Sequence, residues 1–227
     1  MLRRKRFWFA IMAILPTFAI FGWVRLFPII ETLRLSMHEW NLLSKNKPFV
    51  GFQNFIELFG DNQFLDALSN TAIIAFGAMA VTIPMSLVLA AIIYHRTRSR
   101  FAGFYETAVF IPHVVSLVPA AMAWKWIFDA KLGPLNAVIV GLGGNALPWL
   151  FDPVLSVICI ILLVSWQTLG YGVLIYLVGF RNLPKSVFEA AQLDGASGVQ
   201  SFLYMSAPLL KPITLYVSVV TLISGFN

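Results

Sequence analysis

Charge is what this chain most lacks. Only 11% of its 227 residues are charged while 59% are hydrophobic, and the mean hydropathy is +0.81. Soluble domains carry about 25% charged residues. A water-soluble globule is therefore excluded, and the bilayer takes the place of a core as the main apolar solvent. Cysteine is nearly absent. The single Cys159 lies inside an apolar run, which rules out an intrachain disulfide and leaves no metal or redox pair. Its expected place is that of a small buried hydrophobe. No G-x-x-x-x-G-K-[ST] loop is present, so any nucleotide must be held by another chain. Nor is there an H-E-x-x-H, a G-x-S-x-G or a pair of aspartates within an apolar run, which disfavours an intramembrane enzyme.

The charges that do occur are patterned. The net charge is +6, and the positives fall in short runs beside apolar segments: Arg3, Arg4, Lys5 and Arg6, then Arg96, Arg98 and Arg100. That is the pattern of cytoplasmic flanks, not of a nucleic-acid site. The N-terminus mimics a signal peptide, but its apolar run, Phe7–Val24, is long and no small-x-small cleavage site follows. An uncleaved first span is expected, about 27 Å long at 1.5 Å per residue, with Arg25 snorkelling at the far interface.

The expected organisation is all-α: a polytopic bundle of about five transmembrane helices. Residues 1–30 form a cytoplasmic tail and the first span. Residues 31–70 are a polar external loop, with a short interfacial helix in "FQNFIELF". Residues 71–227 form the transmembrane core. Its spans are expected at Thr71–Tyr94, Thr107–Ile127, Pro153–Phe180 and Leu209–Asn227, with a Gly/Pro-rich external segment carrying a short helix over 128–153. Counting from a cytoplasmic N-terminus puts residues 182–208 in the cytoplasm. Five spans leave the C-terminus outside, and no stop-transfer positives follow "TLISGFN", so a truncated chain or a fragment lacking a sixth span is expected.

The segment 182–208 has legible mechanics. Pro184 fits the first turn of a helix, and Val187, Phe188 and Ala191 share one face. Gly195 sits where a left-handed residue would end that helix. Ser197 and Gln200 make a capping box for a second helix, whose apolar face is Val199, Phe202 and Leu203 and which Pro208 ends. Two such short helices are not stable alone in water. Their apolar faces need either the protein's own membrane domain or a groove on a cytoplasmic partner.

"EAAQLDGASGVQSFLYMSAPLLKP" resembles the EAA loop of membrane subunits of ATP-binding-cassette importers, at Glu189, Ala190, Ala191, Asp194, Gly195, Ala196, Gln200, Phe202, Pro208 and Pro212. "FVGFQNF", "FIPHVVS", "WKWIF", "GPLNAVI", "PWL" and "GFRNLPKSVFEAA" resemble carbohydrate permeases of the MalF/UgpA type. The resemblance implies a type I importer permease in the bacterial or archaeal cytoplasmic membrane. It implies a second permease subunit, two ATPase subunits that bind ATP and Mg, and an extracytoplasmic solute-binding protein. This chain would bind no cofactor or metal itself. The first hairpin helix would dock in an ATPase cleft through Glu189, Ala190, Ala191, Asp194, Gly195 and Ala196. The sequence departs from the family pattern at Gly198, at His113 and in the missing sixth span.

Trp166, Thr168 and Tyr171 match the stretch that lines the sugar path in that family, and Thr221 and Asn227 are candidates on the last span. Helix packing around Gly170 and Gly172 is the alternative for the first group. His113 lacks an acidic partner at depth, so packing or a backbone hydrogen bond is expected in place of a proton relay, and Glu106 is expected to be solvated or to face the hairpin. The other functional readings are a secondary transporter, which would need coupling-ion carboxylates at the midplane, and a truncated, non-transporting remnant or scaffold.

Overall fold

The computed structural model describes residues 2–40, 47–95, 101–184, 186, 189, 191 and 195–226. Those residues are almost entirely helical; the only strand-like feature among them is an isolated antiparallel bridge between His38 and Phe49. The chain divides into two compact units, 1–67 and 68–227.

In the first unit, α1 (Leu2–Phe21) runs into a wide π-turn, Gly22–Leu26, and on into α2 (Phe27–Leu35). The expected end at Val24 is therefore corrected: the apolar helix Trp8–Leu35 continues for 28 residues. Arg25 lies within the π-turn, not past the helix end. Hydropathy marks where a charge falls, whereas the backbone hydrogen bonds decide where a helix stops, and here they widen without breaking. Phe27 N–H reaches back to Gly22 O, and the next residue is Pro28. A proline ring collides with the carbonyl four residues earlier, and a wider turn just ahead of it relieves that collision.

The 31–70 segment is also not a plain loop. The His38–Phe49 bridge and the Asn54 amide, which donates to Ser36 O at 2.8 Å and His38 O at 3.1 Å, fold it back on itself. The short helix expected in "FQNFIELF" is present as α3 (Gln53–Gly60). The next helix, α4 (Asn62–His95), starts nine residues before the expected Thr71. Its first turns are polar because they project beyond the apolar stretch, and the Asp61 carboxylate accepts the Gln63 N–H at 2.9 Å at its start.

In the second unit, α5 (Ala102–Val114) and α6 (Leu117–Ile127) replace the single span expected over Thr107–Ile127. They meet at 96°. Pro112 and Pro119 flank the break and each removes a backbone donor from it. A short α7 (Pro134–Gly141) follows, then α8 (Pro153–Arg181), capped by Asp152, whose carboxylate accepts from Val154 and Leu155 N–H at 2.9 Å. The last elements are α9 (Gly198–Ser201), a second π-turn (Phe202–Ser206), α10 (Ala207–Leu209) and α11 (Lys211–Phe226). Pro208 does not end the second hairpin helix, as expected from sequence. Ala207 N–H bonds Phe202 O across the π-turn and the chain stays helical to Leu209, after which it bends by 68°. Among the described residues three helices are long and apolar enough to cross a membrane, and each bent pair can serve as one more span, giving up to five.

The core lies where α4, α8 and α11 meet: Ala90, Ile93, Val173, Tyr176, Leu177, Phe180, Leu210 and Val217 are buried. α8 is its axis. A Cβ at Gly170 would fall against the Val109 carbonyl oxygen and 2.9 Å from Phe110 Cα, so only glycine lets α5 approach this closely. Gly172 sits against Ser86 of α4 and Val217 of α11.

Candidate coupling hairpin and solute path

The hairpin begins where α8 ends. Arg181 pairs with Glu106 of α5, so of the two expectations for Glu106 the structure takes the second: it faces the hairpin's root. Tyr94 stacks on Phe180 beside it, with centroids 5.4 Å apart. Ser186, Glu189 and Ala191 are helical, Glu189 exposed and Ala191 buried. Ala191 therefore packs on its own chain, as fits the apolar face it was assigned; Val187 and Phe188 of that face lie outside the described residues. Ala190 and Asp194 lie outside the described residues.

The turn is built as the sequence indicates. Gly195 has φ +78°, and Ala196 N–H bonds Ala191 O at 2.9 Å, the six-to-one closure of a Schellman motif with Gly195 at C′. Ser197 Oγ accepts Gln200 N–H at 3.3 Å while Gln200 Oε1 accepts Ser197 N–H at 2.8 Å, completing the capping box. The apolar face of the second helix divides. Phe202 packs on the core, whereas Val199 and Leu203 stay exposed. Between this helix and α4 runs an apolar groove of about 530 Å³, lined by Val88, Ala91, Ile92, Gly198, Val199 and Phe202. Gly198 has open space around it, so a larger residue fits there without strain.

The expected solute-path residues do not converge. Successive residues on a helix turn by about 100°, so Trp166 and Thr168 face opposite ways. Trp166 meets Trp124 of α6 edge-on at 5.8 Å, and Trp124 leads to Phe128 and Trp149. Thr168 gives its proton to Val164 O at 2.8 Å and accepts from buried Thr82 of α4 at 3.1 Å. It thus belongs to the helix interface. Thr221 is buried, and Asn227 lies outside the described residues. Tyr171 is half-buried, as Trp166 is, and its partners on other helices are exposed. Its hydroxyl bonds that of Tyr216 at 2.7 Å, and its ring lies 5.3 Å from the His113 imidazole.

His113 and Gln167 hold the α5–α6 break. The Gln167 amide donates to Val115 O at 3.2 Å, capping a carbonyl that the 96° bend leaves without a helical partner. His113 Nδ1 lies 3.2 Å from Gln167 O. The expected backbone hydrogen bond exists, and its acceptor lies on α8.

Two contributors were not read from the sequence. Tyr216 becomes visible only through its contact with Tyr171, 45 positions away. Asn136, the one polar side chain of α7, is buried and organises the loop that follows it. It donates to Ala130 O and Leu147 O and accepts from Leu147 N–H and Trp149 Nε1. Its isolation in "PLNAVIVG" was the available signal.

Several apolar helices in a row, two of them bent, with an uncharged polar cluster at depth and a capped hairpin beyond the last long span, define a multi-pass transport permease. Residues 82–227 match the family model described as "Binding-protein-dependent transport system inner membrane component". The chain belongs to that family, whose members are transport subunits of the inner membrane. It is 31% identical to the probable ABC transporter permease protein YurN of Bacillus subtilis, over 88% of this chain and 69% of that protein. It is likewise 31% identical to the lactose transport system permease protein LacF of Rhizobium radiobacter, over 92% of this chain and 69% of that one. A bacterial ABC transporter that imports the acidic polysaccharide alginate superposes with a TM-score of 0.80 at 25% identity, over 96% of this chain and 73% of that one. The fold and the relatives together make this chain a permease subunit of a binding-protein-dependent importer.

Proposed function

We propose that this permease imports a sugar or sugar derivative, and that its 182–208 hairpin docks on a separate ATPase subunit that binds ATP and Mg. A second permease completes the passage, an extracytoplasmic solute-binding protein delivers the solute, and the N-terminus lies in the cytoplasm. Closure of the ATPase pair would push on the hairpin and rock the helices between inward-open and outward-open states. Glu189 offers a carboxylate to a cationic cleft residue, and Asp194 adds a second acidic group near the elbow.

One observation supports this reading: the elbow of the hairpin is held by its own hydrogen bonds. The Gly195 closure and the Ser197–Gln200 box shape the elbow, and the Glu106–Arg181 pair ties the end of α8 to α5. A side chain at Gly195 would have to adopt the left-handed region at a cost of about 1–2 kcal/mol, which the elbow would avoid by changing shape. Gly195→Val is expected to insert in the membrane and leave ATP hydrolysis running while solute uptake is lost. Uptake at the wild-type rate would refute the docking role, as would ATPase co-purification that survives substitution of both Glu189 and Gly195.

A further inference from the structure

His113, Tyr171 and Tyr216 come from three different helices, α5, α8 and α11, and meet on one face of the second unit. The face is open: His113 and Tyr216 are exposed, Tyr216 by 49%, and Tyr171 is half-buried. It is also deep. Tyr171 stands 18 residues after Pro153 and 10 before Arg181, which places it about 27 Å and about 15 Å from the two ends of α8. An imidazole and two phenols cannot face hydrocarbon there at low cost; polar groups at that depth face a protein interior or a water-filled passage.

The hydrogen-bond inventory of the cluster is specific. Gln167 O can only accept, so His113 Nδ1 carries a proton, and in the neutral ring Nε2 is a bare acceptor. In the Tyr171–Tyr216 pair one hydroxyl donates to the other, which leaves the second hydroxyl's own proton unspent. The face thus offers one donor and one acceptor beside a phenol ring, the complement of a solute hydroxyl, which both gives and takes a hydrogen bond. It offers no charge. The stretches 71–94, 107–124, 155–180 and 212–226 contain no Asp, Glu, Lys or Arg. An anion reaching this face would find no cationic side chain from these stretches to pair with.

We propose that His113, Tyr171 and Tyr216 form a contact for an uncharged polyhydroxy solute, with His113 the residue that sets its specificity. The inference rests on the importer reading and names the class of solute that this chain's half of the passage accepts.

The test uses the complete transporter in its own membrane. Cys159 is the one cysteine of this sequence and is buried, so Cys159→Ala in a transporter otherwise cleared of cysteines allows single cysteines at 113 and 216, with Val114→Cys and Leu215→Cys as exposed apolar neighbours. A charged, membrane-impermeant methanethiosulfonate reagent reacts only with a hydrated, ionisable thiol. Cysteines at 113 and 216 are expected to react about tenfold or more faster than those at 114 and 215. Lactose and arabinose oligosaccharides are expected to slow the reaction, and sn-glycerol 3-phosphate and alginate oligosaccharides are not. Equal labelling at all four positions overturns the passage assignment. Protection by the anions alone, or by neither class, overturns the solute class. These outcomes are read apart from ATPase co-purification, whose absence with the unsubstituted permease would count against the importer reading instead. Tyr216→Phe, which keeps the ring, gives a second measurement should a cysteine block insertion. The apparent KM of the transported neutral sugar should rise about threefold to tenfold at unchanged kcat, and an unchanged KM overturns the proposal.

Discussion

Gly170→Ala adds one methyl group, and the structure says where it goes. Its Cβ would fall on the Val109 carbonyl oxygen and 2.9 Å from Phe110 Cα. Both obstacles are backbone atoms of α5, which cannot rotate aside as a side chain would. The two helices must part, and a radial gap of about 0.5–1 Å already forfeits a quarter to a half of each contact's dispersion well. Overpacking of this kind costs about 1–3 kcal/mol. At about 2–4 °C per kcal/mol for a chain of this size, the unfolding midpoint should fall by about 2–12 °C. Gly103→Ala is the matched control on α5. A Cβ there meets nothing within 4 Å, and alanine gains up to about 1 kcal/mol of helix propensity. Thermal unfolding of the detergent-solubilised permease, followed by tryptophan fluorescence, gives the comparison. A Gly170→Ala midpoint at or above wild type, or an equal loss in Gly103→Ala, would refute the close-approach argument.

Asn136→Ala removes four hydrogen bonds from the segment between α7 and α8; hydrogen exchange at the Leu147 amide should accelerate about tenfold or more, and unchanged protection there would deny Asn136 its organising role. Ser197→Ala breaks the capping box at about 1 kcal/mol, so the Gln200 amide should exchange about fivefold faster with the rest of the chain unaffected. Asp129 is held below the usual carboxylate range by the Leu132 and Lys131 N–H groups, at 2.7 and 2.9 Å. Because its folded value is depressed, this turn keeps its full contribution above the ordinary aspartate range and loses it as pH falls through the lowered folded value. Protection of the Leu132 amide should therefore persist at the ordinary aspartate value and vanish only in stronger acid, and in Asp129→Asn it should show no such acid step.

The features legible in the sequence were the local ones. Gly195, Ser197 and Gln200 lie within six positions, and turn and cap chemistry act over that range, so the hairpin elbow could be read directly. The long α8 and the short α3 followed from apolar length and turn residues. What could not be read depends on rotation and on distant partners. Trp166, Thr168 and Tyr171 are close in sequence, but they meet different partners, Trp124, Thr82 and Tyr216, and nothing in the sequence fixes the rotation of α8 against its neighbours. Hydropathy likewise ran unbroken through 107–127, because prolines bend a helix without changing its polarity. Ala191 matched the family motif, but its burial is decided by packing within this chain.

The two π-turns have a consequence for how the permease meets its surroundings. Gly22–Leu26 and Phe202–Ser206 each fit one additional residue into a helix that does not break. Since a helix advances about 100° per residue, the stripe of side chains on one side of each π-turn is out of phase with the stripe on the other. One rod of backbone can thus show a given face to one neighbour over its first half and a different face to another over its second. Where the hairpin returns to the bundle, the phase step falls between Phe202 and Ala207, so the face shown by Gly198–Ser201 is not continued by Ala207–Leu209.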